Sequence, residues 1–205
     1  MFIRSLFWFI FALLFALVEV ENEGKYGWAQ KAQTWYRATS HLPKITTIFI
    51  GSKPMTGYHL FLFPLVLLLT HIPFFAGLSW SPDRELMTLT VFFSWTSLWD
   101  YLWFIFNPFY KIQAFKKAWW YGKSYCVLGI IPIEDFNQWV ISVFLALAAA
   151  LLTKDASLLA NHLRFLGYLT LFTILSYLTL APIYKRWYFR MRKSDDRNEL
   201  KLGET

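Results

Sequence analysis

Five side chains stand out because of where they lie in the chain. Glu19, His59, Asp100, Glu134 and Asp135 are ionisable groups inside, or at the ends of, long apolar runs. An ionisable group within a membrane span costs roughly 2.5–3.5 kcal/mol on insertion scales, and it ordinarily faces a bundle interior or a cavity. A carboxyl group in an apolar setting also holds its proton nearer to neutral pH, which suits general-acid work. Asp100 is therefore the candidate acid or ligand and His59 the candidate base or ligand. Glu134 and Asp135 are read as their partners, orienting the acid or stabilising a developing cation. The faces of Trp99 and Trp103 add cation–π stabilisation. This set suits proton-initiated chemistry on a lipid or isoprenoid double bond.

The elements that must position these groups are membrane helices. The chain of 205 residues is 57% hydrophobic, 21% aromatic and only 16% charged, against about a quarter charged in a typical soluble domain. Five segments approach the roughly 20 apolar residues that a span needs: 2–20, 58–80, 86–107, 133–153 and 158–184. The expected fold is an all-α integral membrane bundle of about five transmembrane helices in a single domain over 1–191, followed by a charged, disordered tail over 192–205.

Charge gives the orientation. Five basic residues fall in the first long loop (Lys25, Lys31, Arg37, Lys44, Lys53), four in the third (Lys111, Lys116, Lys117, Lys123) and seven after residue 184. Sixteen of the 20 basic residues thus share one side. The positive-inside rule makes that side cytoplasmic, with the N-terminus outside and the C-terminus inside. A cleaved signal peptide over 1–20 would reverse this for the first loop, and Leu-Val-Glu-Val-Glu is a poor cleavage site. The net charge of +7 is spread between apolar segments, a pattern that does not fit nucleic-acid binding.

Depth then groups the ionisable residues. Asp100 lies about 10 Å inside the cytoplasmic end of its span, at a level close to Glu19, His59, Glu134 and Asp135. His71 lies about 18 Å further along its helix, outside this layer. Thr90, Ser94, Ser97 and Tyr101 form a polar stripe beside Asp100, and Glu134, Gln138 and Ser142 recur every four residues. The two long loops are read as interfacial amphipathic helices, one carrying Trp28, Ala32, Trp35 and Tyr36, the other Ile112, Phe115 and Trp119. Lysines among them would attract anionic membrane lipid.

Other readings remain open. The acids can be structural, with Glu134 and Asp135 favoured by the dipole of a helix start. Glu19, His59, Asp100 and Glu134 could ligate a metal, although no pair has a diagnostic spacing. The acids could mark a proton path in a transport component. The chain could also be a non-catalytic subunit packing against another membrane protein. Gly122-Lys123-Ser124 lacks the upstream glycine of a phosphate loop. The single cysteine, Cys126, excludes an intramolecular disulfide and is a possible palmitoylation point.

The stretch Pro132-Ile133-Glu134-Asp135-Phe136 resembles the Pro-x-Glu-(Glu/Asp) motif of the integral-membrane lycopene cyclases of carotenoid synthesis. The resemblance covers five residues. It implies isoprenoid chemistry in which Glu134 and Asp135 protonate a polyene at the entrance of a span.

Overall fold

The computed structural model describes residues 1–38, 40, 53–111, 126–129 and 131–194. Among these residues six helices follow one another: α1 (Phe2–Glu23), α2 (Gly57–Phe75), α3 (Pro82–Phe106), α4 (Ile133–Thr153), α5 (Ser157–Leu178) and α6 (Leu180–Lys193). Two antiparallel two-residue ladders lie in the connections. β1 (Tyr36–Arg37) pairs with β2 (Met55–Thr56), and β3 (Cys126–Val127) pairs with β4 (Ile131–Pro132).

Helices α1, α2, α4 and α5 are long and apolar enough to cross a membrane. Their outward surfaces agree with that. Ile3, Phe7, Ile10, Leu14 and Val18 form a continuous exposed stripe along α1, a greasy face that water would penalise and lipid would not. The more polar α3, 25 residues long, lies among them and packs against all four. Several of its hydroxyls are hidden: Ser94 and Thr90 are fully buried and donate to carbonyls of their own helix. Others tie α3 to α4, where Ser97 donates to the Asp135 carbonyl (2.9 Å), Thr96 to Gln138 (2.9 Å), and the Trp139 indole to the Ser94 carbonyl (3.2 Å). The α1–α3 seam is aromatic. Phe11 stacks on Trp95 at 4.9 Å, and Phe15 meets Trp95 and Trp99 edge-on at 5.2 Å, arrangements that add to simple area burial.

Local sequence explains the ends. The Thr56 hydroxyl caps α2 by accepting from the His59 backbone N–H. Pro82 sits at the start of α3 with Asp83 and Glu85 in its first turn, and α4 opens with Glu134 and Asp135, which suits the positive end of a helix dipole. The expected segment 158–184 is divided: α5 stops at Leu178 and α6 begins at Leu180. Pro182 causes this, because it has no N–H to offer the Leu178 carbonyl and its ring crowds that group. Arg192 and Lys193, expected in a disordered tail, are the last residues of α6; 195–205 lie outside the described residues.

One expected element is corrected. Residues 24–38 form turns and β1, not an amphipathic helix. Gly24 and Gly27 adopt φ 57°, and Trp28 and Ala29 follow at 45° and 52°, left-handed backbone that no helix can accommodate. The other expected loop helix (Ile112, Phe115, Trp119) lies outside the described residues, as do Lys44, Lys116, Lys117 and Lys123.

Between α4 and α5, Ser142 Oγ donates to the Trp139 carbonyl (2.7 Å), so His162 Nε2, 3.0 Å away, is the donor to Ser142. Both residues are buried. Ser142→Ala is expected to lower stability by about 0.6 kcal/mol and by no more than about 1.7, the span of inter-helix hydrogen bonds in membranes. Unfolding in mixed micelles against SDS fraction reads this; a larger loss would show that the pair does more than clamp two helices.

Candidate active site

The described parts of the two long connections lie at one end of the bundle, where α1 and α3 finish and α2 and α4 begin. In the last turns of α1, Glu19 and Glu23 are four residues apart and share a face. Glu21, two positions from each, faces away and meets Tyr184 (2.7 Å) and Arg192 (3.2 Å) of α6. Tyr58 at the start of α2 donates to Glu19 (3.0 Å), and His59 beside it is 4% exposed. The second contact of Thr56 is with the His59 ring, its hydroxyl 2.6 Å from Nδ1. That contact fixes the imidazole from behind.

The connection after α1 folds over this end as a cap. The Trp28 indole stacks on the His59 ring, 3.8 Å between centroids and 16° from parallel, and its Nε1 donates to the Pro54 carbonyl (2.7 Å). The Ala29 N–H donates to the Glu23 carboxylate, which offsets part of the cost of left-handed backbone there. The β1–β2 ladder continues the closure: Gly57 N–H donates to the Trp35 carbonyl (3.2 Å) and Tyr58 N–H to Thr34 Oγ1 (3.0 Å). Gly57 is needed for this approach, since a Cβ would lie 2.6 Å from Trp35 Nε1 and 2.9 Å from Thr34 Oγ1.

Beneath the cap lies a cavity of about 320 Å³. Glu19, Glu23, Lys53, His59 and Asp100 line it together with Trp28, Trp99 and Trp103, while Phe63, Phe92 and Phe93 line it further along the bundle. Phe92 precedes Asp100 by eight residues, about 12 Å along α3. Phe63 of α2 and Gln138 of α4 both reach this space. It therefore occupies the seam between those helices, which pack on α3 rather than closely on each other.

Lys53 is the residue that sequence reasoning missed. Counted there as a loop charge, it is 3% exposed, with Nζ 3.0 Å from Asp100 Oδ2 and 4.4 Å from the centre of the Trp28 ring. Burial by itself would lower its pKa, but the carboxylates of Asp100, Asp135 and Glu134 outweigh burial and hold it above the ordinary 10.5. The ammonium therefore keeps its proton across the physiological range. The available signal was position: Lys53-Pro54 lies only a few residues before α2, too near the apolar run to be assumed free in solvent.

Of the residues singled out from sequence, Glu19, His59 and Asp100 come together in the cavity. Asp135 does not. It is 2% exposed and lines a second space of about 320 Å³ on the other side of α3, with Ser97, Tyr101 and Tyr177. Glu134 is buried at 7% and lines neither, and both acids act on the cavity through their field at Lys53. Among the described residues, no group of three His, Cys, Asp or Glu side chains is placed to hold a metal ion. His71 pairs with Glu85 (2.9 Å) at the opposite end of the bundle.

No protein-family model matches the chain, and no curated protein or solved structure is similar to it.

Proposed function

We propose that this chain is a five-span membrane protein, N-terminus outside and C-terminus cytoplasmic, acting as an intramembrane enzyme on a lipid or isoprenoid. One observation carries the reading: a single cavity joins a charged end, where Lys53 meets Asp100 beside Glu19, Glu23 and His59, to an aromatic end at Phe63, Phe92 and Phe93. Such a space is complementary to an amphiphile, its reacting group among the charges and its chain along the aromatic wall. The seam between α2 and α4 gives a route from the bilayer. Helix α3 is the fifth span, its lower hydropathy arising from polar groups turned inward.

In this reading Asp100 is the acid, passing to the substrate a proton drawn from the Lys53 ammonium it pairs with, and His59, held by Thr56, is the base. Lys53 orients the Asp100 carboxyl, and Glu134 and Asp135 support Lys53 from across α3.

Asp100→Asn tests this. The amide retains an oxygen to accept from Lys53 but leaves that buried ammonium without its counter-charge, so the comparison is made on variant protein whose helices far-UV circular dichroism shows intact; the amide cannot pass a proton to a substrate. Cells expressing the native chain or the variant at matched membrane levels would be compared by mass spectrometry of whole lipid extracts. A lipid or isoprenoid species should change with the native chain alone, and the purified variant should be about 10²–10⁴-fold slower in forming it, the worth of a positioned acid. Identical extracts, or equal conversion by the variant, would reject the proposal.

A further inference from the structure

We infer that α6 is an in-plane membrane-surface helix whose basic flank binds the head groups of anionic phospholipids. The inference is independent of any reaction in the cavity. Its 14 residues include five cations and no acid. Two of those cations are engaged within the protein: Arg192 pairs with Glu21 and lies 4.0 Å from the centre of the Tyr188 ring, and Lys185 donates to the Tyr110 carbonyl (3.2 Å). With Ala181 and Tyr188, each 2% exposed, they seat one side of the helix on the bundle.

The other three cations, Arg186, Arg190 and Lys193, are all exposed. Their spacing of four and then three residues puts them within about 60° of one another around the helix. Like charges so placed repel, and an anionic surface relieves that repulsion. Beside them runs an apolar stripe of Leu180, Ile183, Trp187 and Met191, each about half exposed. A cationic band adjoining an unburied apolar band is the arrangement by which a helix lies at the boundary between head groups and acyl chains. The charge selects the partner: phosphate-bearing lipids with net negative charge rather than zwitterionic ones. The seat on Glu21, between Glu19 and Glu23 in sequence, places this surface at the same end of the bundle as the cavity.

The full-length chain in nanodiscs of equal phosphatidylcholine and phosphatidylglycerol provides the test, with the lipids retained on release counted by native mass spectrometry. A cation near an anionic surface contributes roughly five-fold, so three together contribute on the order of a hundred-fold in relative retention of phosphatidylglycerol. The triple variant Arg186→Gln, Arg190→Gln, Lys193→Gln should lose this enrichment. The variant Lys154→Gln, Arg164→Gln, altered at the other end of the bundle, should keep it. Raising NaCl from about 0.05 to about 0.5 M should weaken it in the native chain, which involves no substitution and so no question of folding. Absence of enrichment in the native chain, an unchanged preference in the triple variant, an equal loss in the other-end variant or insensitivity to salt would each overturn the inference.

Discussion

Trp28→Ala should cost about 3–5 kcal/mol, the range for removing a buried tryptophan ring, and should unseat the cap over the cavity. Three contacts depend on this residue. Its ring lies against His59 at 3.8 Å, its Nε1 donates to the Pro54 carbonyl, and its own carbonyl accepts from Tyr36 (3.2 Å). The ring is also the face over which the Lys53 ammonium sits. Alanine would inherit the left-handed backbone at φ 45° and keep only the carbonyl that accepts from Tyr36. Trp28→Phe separates the parts: it keeps an aromatic face and loses the donor to Pro54, a loss of about 1 kcal/mol. SDS-driven unfolding in mixed micelles, followed by far-UV circular dichroism, measures both. A Trp28→Ala protein within 1 kcal/mol of the native chain would mean that the ladder and Gly57 hold the cap without it.

The next largest effect is expected at Lys53→Met. Removing one member of a buried ion pair costs about 3–5 kcal/mol because the remaining charge keeps its desolvation penalty. The low end, about 3, applies here, since the Asp100 side chain retains 30% exposure. Adding Asp100→Asn neutralises the other member, so the double variant should recover part of the loss; equal stabilities for single and double variants would show that the two residues are not coupled. Alkaline pH gives an independent reading. The folded state raises the pKa of Lys53, so the stability it contributes is complete below the unfolded value of 10.5 and is lost as pH climbs through the higher folded value. The native and Lys53→Met curves should therefore stay apart through neutral pH and converge above 10.5. Curves that converge on the acid side instead would contradict the pairing.

Why Lys53 escaped a reading of the sequence is instructive. Its closeness to the start of α2 is the one local feature that sets it apart from Lys31, and the count of basic residues by side treats the loop lysines alike. Its burial depends on Asp100, 47 residues away, and on Trp28, which reaches it only because Gly24 and Gly27 allow the chain to turn back over the bundle. The indole and tyrosine spacing at Trp28, Trp35 and Tyr36 fits a helix equally well, and it was the left-handed run at 27–29 that decided otherwise. Rise per residue brought Asp100, His59 and Glu19 to one level. It could not say that Asp135 would turn to the far side of α3, because the rotation of α4 is set by packing and by the bonds from Ser97, Thr96 and Trp139.

The sequence alone determined the solvent this protein is built for and placed the four long apolar helices among the five spans it marked. It also marked the layer in which ionisable groups are concentrated. Those features are sums over neighbouring residues, and hydropathy, periodicity and backbone restriction act locally. The tertiary structure decided which charges share a cavity, that a lysine completes it, and that a turn rather than a surface helix closes it. Those outcomes depend on contacts between residues tens of positions apart, whose energies no local pattern records.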